Sequence, residues 1–253
     1  MSLGDRPVVH GRHLARAPVP GDLRRAAAAG PRTHENGRRV DFTDYLSRNI
    51  DNLVELSIEH LQLVLVSLLI AILLGVPLGI VAHRSTTLNP PIMATASVFL
   101  TIPSLALFAL FIPIFGLGQP PAIAALTLYA LLPIIANTVA GLRGVDPAIV
   151  RASRGMGVGS LRRLFEVELP LAWPVIITGV RVSAQITVGI AAIAAFVGGP
   201  GLGNEIFRGL RSLGTAGAEN LVYGGTLAIV VIALALDAIF VVVRRLTTSR
   251  GIR

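Results

Sequence analysis

Cysteine and lysine are both missing from this 253-residue chain. Without cysteine there is no disulfide, no thiolate zinc site and no cysteine nucleophile, and the redox compartment is unreadable. Charged residues make up only 14% of the chain and aromatic residues 5%, whereas an ordinary soluble domain carries about 25% charged residues. So little polar surface cannot cover a water-soluble globule. What is present instead is apolar. Hydrophobic residues make up 53% of the chain, mean hydropathy is +0.72, and several apolar blocks exceed the ~20 residues that cross a bilayer as a helix. The composition points to an all-α polytopic membrane protein. It argues against a soluble enzyme, and against a membrane β-barrel, whose strands would be alternating segments of about 10 residues. All 22 basic residues are arginine, a bias open to coding preference as much as to function.

The charge is uneven. Residues 1–39 hold eight arginines against Asp5, Asp22 and Glu35, which is +5 of the net +8. With no apolar periodicity, residues 1–40 read as a disordered basic tail. The tail has no 7–15-residue apolar core, so it is not a secretory signal peptide. Nucleic acid is not an expected partner, because no aromatics interleave the arginines for base stacking. From Asp41 the pattern changes: Phe42, Leu46, Ile50, Leu53 and Leu56 recur at helical spacing between Asp44, Arg48, Asp51 and Glu55. Residues 41–60 therefore read as an amphipathic helix at the membrane interface.

Five apolar stretches follow within residues 61–246: Leu61–Ala82, Pro91–Phe115, Ala122–Leu142, Leu171–Val197 and Leu221–Val243. Gly75 and Gly79 form a small-residue pair in the first, read as ordinary close helix packing. Placing the hydrophilic 143–168 segment and the C-terminus inside puts ten arginines there and leaves the outer loops with Arg208 and Arg211. This satisfies the positive-inside rule and makes the terminal tail, 247–253, cytoplasmic. Five spans then set the N-terminus outside, against the arginines of the tail; a native start near Val40 would remove that conflict.

Residues 143–170 form the most informative segment. Asp146 followed by Pro147 is a helix start, an N-cap side chain and then proline at the first helical position. Ala148–Met156 reads as a short helix. Gly155, Gly157 and Gly159 break it and allow a bend, and Ser160 caps a second short helix, Leu161–Val167, ending at Pro170. Two short helices meeting at glycine make a compact knob that can dock into a partner and transmit a push. Contact with anionic lipid is the rival reading of so basic a loop.

Arg151-Ala152-Ser153, Gly157 and Val167-Glu168-Leu169-Pro170 resemble the coupling loop of the permease subunits of bacterial ABC importers. That loop reads Glu-Ala-Ala, three residues, glycine, nine residues, then Ile-x-Leu-Pro. The small residue, the glycine and Leu169-Pro170 match; Arg151, Ser153 and Val167 depart from it. The resemblance spans 53–245 and narrows to the osmoprotectant branch through Thr101–Ala106, Gly116–Gly118, Leu132–Ile134, Asn137-Thr138, Gly141–Val145 and Phe196–Gly203. It implies five transmembrane helices in the type I ABC importer permease (MetI-like) fold, in a bacterial inner membrane. The implied function is import of glycine betaine, carnitine, choline or related solutes. The implied partners are a second permease subunit, identical or paralogous, two ABC ATPases carrying ATP and Mg, and an extracytoplasmic substrate-binding protein. The implied ATPase contact is Arg151, Ala152, Ser153, Gly157, Val167, Leu169 and Pro170. A methionine-type amino-acid permease is the nearest alternative, and an integral-membrane lipid enzyme a second.

The chain itself offers no fuel chemistry. Gly198–Gly203 is glycine-rich but lacks the Gly-Lys-Ser/Thr ending of a phosphate loop; it reads as an outward turn touching the binding protein. The five histidines show no metal spacing, and no catalytic set or cofactor site is visible. At membrane depth, Arg181 lies about 16 Å past Pro170, and Asp237 about 10 Å before Arg244, at 1.5 Å per residue. Lone buried charges are costly, so the two are expected to pair. Ser104, Asn137, Thr138, Ser183, Gln185 and Thr187 are polar at similar depth, where such groups more often bond to neighbouring helices or backbone than to solute. No aromatic cage for a quaternary amine is visible, and Trp173 reads as an interfacial anchor.

Overall fold

The computed structural model of the protein describes residues 41–247. The tail expected over 1–40, and all but the first residue of the one expected over 247–253, lie outside them. Every regular element among the described residues is helical.

Helix α1 runs Phe42–Arg84 without a break, about 64 Å at 1.5 Å per residue. The segment expected to form its own interfacial helix thus continues directly into the first span. No glycine or proline occurs between Phe42 and Gly75, so nothing interrupts the backbone ladder there; Pro77 lies inside the helix without ending it. The first turns of α1 are also held by protein: Tyr45 and Leu53 are buried with Leu202.

The second apolar stretch is not a straight span. It forms α2 (Asn89–Thr101) and α3 (Ser104–Phe115), bent by 102°. At about 20 and 18 Å, each is shorter than the ~30 Å hydrocarbon core. The break has a local cause, because the residue before a proline avoids the helical region. Ile102, before Pro103, is extended at φ −68°, ψ 130°. Its freed carbonyl accepts the Tyr129 hydroxyl, as backbone at membrane depth must be satisfied by protein. Among the described residues, four helices are long and apolar enough to cross a membrane, and the bent pair makes a fifth crossing if counted as one.

Helix α4 (Gln119–Arg143) is the central post. On one side Gly75 and Gly79 of α1 meet Ile134 and Thr138; a Cβ on Gly79 would lie 2.6 Å from that of Thr138. The small-residue pair is therefore ordinary close packing within the chain. After α4 come α5 (Pro147–Gly155), α6 (Ser160–Arg163), a π turn over Leu164–Glu168, and α7 (Leu169–Ala191). Gly179 of α7 sits against α4, where a Cβ would meet Asn137 at 2.6 Å and the Pro133 carbonyl at 2.7 Å. A 3₁₀ turn, α8 (Gly203–Arg211) and α9 (Ala218–Thr247) complete the described residues.

The helix ends sort into two groups. At one end, Arg84 reaches the Ser160 carbonyl at 3.0 Å, and the Trp173 indole donates to Thr247 at 2.8 Å. The ends of α1 and α9 and the start of α7 therefore meet beside the α5–α6 segment. At the other end, the Gly118 amide bonds to the Val197 carbonyl at 2.8 Å, and α8 lies against the first turns of α1.

Candidate functional site: the α5–α6 knob and the Arg181–Asp237 pair

The knob begins as its sequence dictates. Asp146 caps α5, its carboxylate accepting the Ala148 amide at 2.7 Å, and Pro147 occupies the first turn. The helix ends after Gly155 through one residue. Gly157 has φ +77°, a left-handed conformation that costs other residues roughly 1–2 kcal/mol. There the Gly157 amide bonds to the Arg154 carbonyl at 2.9 Å and the Val158 amide to that of Ser153 at 3.1 Å. Gly155 and Gly159 have no such requirement, so the bend rests on Gly157 alone.

The second half of the knob differs from expectation in two ways. Ser160 is the first residue of α6 and makes no side-chain cap. Nor does the helix stop at Pro170; it widens into the π turn and runs on into α7. Proline lacks an amide and its ring crowds the carbonyl four residues back. The wider turn, with the Leu169 amide bonded to the Leu164 carbonyl, accommodates that fault without ending the helix.

Burial divides the knob residues. Ser153 is buried, its hydroxyl donating to the Val150 carbonyl at 2.8 Å. Val167 and Leu169 are half-buried, while Arg151, Ala152, Gly157 and Pro170 are exposed. Beneath the knob, Arg163 pairs with the buried Glu168 at 2.9 Å. His83, Arg84, Arg143, Arg151 and Arg154 line a cavity of about 690 Å³ beside that pair. Sequence reasoning missed the apolar tip: Met156 is 75% and Leu161 67% exposed. Two large apolar side chains next to a glycine bend in a hydrophilic loop were the available signal.

Deeper along α7, the structure brings Arg181 and Asp237 together. The guanidinium grips the carboxylate with two parallel bonds, Nε to Oδ1 at 2.6 Å and Nη2 to Oδ2 at 2.7 Å. The Gln185 amide donates to the same carboxylate. The other membrane-depth polar groups mostly serve the bundle. Ser183 bonds across to the Ala130 carbonyl at 2.7 Å, and Asn137, Thr138 and Thr187 bond to carbonyls of their own helices. Ser104 is half-buried at the start of α3.

A second missed cluster lies at the opposite end. Glu205 of α8 is buried and accepts the Tyr45 hydroxyl at 2.8 Å, with Arg208 3.0 Å away. The glycine-rich turn packs against α1: Gly201, at φ +106°, would bring a Cβ within 2.9 Å of the His60 backbone, and its amide bonds to Glu59 at 3.1 Å. Among the described residues there is no cluster able to hold a metal ion.

The chain belongs to the family of binding-protein-dependent transport system inner membrane components, whose pattern matches residues 68–249. The family match defines the class, the membrane subunit of a transport system. It is 36% identical over 212 residues to the choline transport system permease protein OpuBB of Bacillus subtilis, covering 84% of this chain and 96% of that protein. It is 38% identical over 220 residues to the osmoprotectant import permease protein OsmW of Salmonella typhimurium, covering 85% of this chain and 100% of that protein. Its fold is that of the MetNI methionine ABC transporter in an inward-facing conformation, with TM-score 0.69 and 23% identity over 78% of this chain and 96% of that one. The chain is an ABC importer permease subunit and not an enzyme; ATP hydrolysis belongs to a separate ATPase.

Proposed function

We propose that the chain is the transmembrane subunit of an ATP-driven importer of osmoprotectants such as glycine betaine, carnitine or choline. In this reading two permease subunits enclose the path, and an extracytoplasmic binding protein delivers solute to it. Two ATPases, carrying ATP and Mg, grip the knobs of the pair. The knob carries the reading. It is capped by Asp146, bent at Gly157 and buttressed by the Arg163–Glu168 pair, so it can transmit force as a rigid body. Its continuity through the π turn into α7 gives the push a direct mechanical line to the span that bears Arg181.

Within it, Ser153, Val167 and Leu169 hold the shape, while Arg151, Ala152, Gly157 and Pro170 face outward beside Met156 and Leu161. The arginine-rich end of the bundle, with the C-terminus, lies in the cytoplasm of a bacterial inner membrane, as the positive-inside rule requires. Co-expression with the ATPase and binding protein, followed by uptake of labelled glycine betaine, carnitine, choline and methionine, tests the reading. Uptake of the first three is expected. Failure of an ATPase to co-purify, or uptake of methionine alone, would overturn it.

A further inference from the structure

Helices α7 and α9 leave different faces open. On α9 the exposed residues include Leu227, Val230, Val231, Leu234, Ile239 and Val242, an aliphatic surface suited to lipid tails. On α7 the open stripe runs through Val182, Gln185 and Gly189, at the spacing of one helix face. It carries an exposed amide, and Gly189 has nothing within 4 Å of its would-be Cβ. At the edge of this stripe the Arg181 and Asp237 side chains are 32% and 26% exposed. Ionised groups at membrane depth face a bundle interior or a water-filled cavity rather than lipid. Arg181 lies about 16 Å from Pro170 along the helix axis, near the middle of a ~30 Å core.

We propose that this stripe lines the solute path and that Arg181 and Asp237 form a transient site for zwitterions bearing a carboxylate and a quaternary ammonium. The inference rests on the osmoprotectant reading and specifies how the path recognises its cargo. The guanidinium fork already holds two carboxylate oxygens in parallel. A solute carboxylate presents the same two oxygens and can take over that fork. The released Asp237 carboxylate then faces the quaternary ammonium, which has no N–H and is held by charge alone. Gln185 remains bonded to Asp237 and keeps it in place during the exchange. One internal ion pair becomes two solute pairs and later re-forms, with net charge unchanged and no isolated charge at any stage. A cation without a carboxylate, such as choline, cannot take over the fork; it shares the Asp237 carboxylate while Arg181 stays bonded to it.

The test uses the full transporter, with its ATPase and binding protein, in proteoliposomes given labelled glycine betaine or choline. In the doubly neutral variant, Arg181→Gln with Asp237→Asn, hydrogen bonding between the helices is retained without an orphan charge. It is expected to co-purify with the ATPase and to lose glycine betaine uptake tenfold or more per assembled transporter. Uptake within twofold of the parent would overturn the proposal and mark the pair as a helix clamp. Arg181→Lys keeps the ion pair but removes the fork. It is expected to lower the ratio of glycine betaine to choline maximal rates at least fivefold, a ratio insensitive to how much transporter assembles. An unchanged ratio counts against the site. If the unaltered transporter moves none of glycine betaine, carnitine and choline, the osmoprotectant reading falls, and this site with it.

Discussion

Gly157→Val separates the shape of the knob from its chemistry. Gly157 sits at φ +77° with nothing within 4 Å of a would-be Cβ, so the substitution meets no steric wall. Its cost lies in the backbone: a β-branched residue in the left-handed region is strained by about 1–3 kcal/mol. Escape from that strain breaks the bonds from the Gly157 and Val158 amides that close α5. A distortion of about 2 kcal/mol reduces the docking-competent population, and hence the apparent ATPase affinity, roughly 30-fold at 1.4 kcal/mol per decade. The bundle itself should not notice, since the residue is exposed and nothing packs on it. ATPase capture by the purified permease in detergent gives the affinity, and its thermal unfolding midpoint gives the control. Gly157→Asn should be milder, because asparagine tolerates this region. Gly159→Val is the comparison, since Gly159 lies at φ −59°, ψ 157°, where valine is comfortable. Wild-type ATPase affinity in Gly157→Val, or equal damage from Gly159→Val, would refute the claim that the Gly157 bend sets the knob.

Three further outcomes are expected. Met156→Glu with Leu161→Glu, on the exposed tip, should abolish ATPase co-purification while leaving the unfolding midpoint of the isolated permease unchanged; retained co-purification would place the contact elsewhere. Gly79→Val should wedge α1 from α4 at Thr138 and destabilise the bundle by about 1–3 kcal/mol, as overpacking does, lowering its midpoint in detergent. Tyr45→Phe removes the hydroxyl that bonds to buried Glu205 and should destabilise the α1–α8 contact by about 1–3 kcal/mol. Faster amide exchange in α8 would report that loss.

The membrane class, the apolar stretches and the start of the knob were legible in the sequence because each depends on residues adjacent in the chain. The scarcity of charge, the run lengths and the Asp146-Pro147 step are local facts with local consequences. The rise of 1.5 Å per residue was enough to bring Arg181 and Asp237 to comparable depth. What periodicity could not say is where a helix stops when its surroundings change. The amphipathic pattern over 41–60 gave a helix with one wet face, but not its partner: Tyr45 and Leu53 are buried with Leu202, some 150 residues on, while Ile50, Val54 and Ile58 stay exposed. Pro103 lies inside an apolar run and Pro170 at the start of one. One turns the chain by 102°, where Tyr129 caps the carbonyl at the bend, while the other is absorbed by a π turn. Proline guarantees only a missing hydrogen bond, and the neighbouring helices determine whether that fault becomes a corner or a bulge. The two-bond geometry of Arg181 on Asp237 and the contact of Tyr45 with Glu205 were likewise decided by tertiary structure, because helix rotation is set by packing against α4 through Gly75, Gly79 and Gly179, and no count along one strand of chain contains that angle.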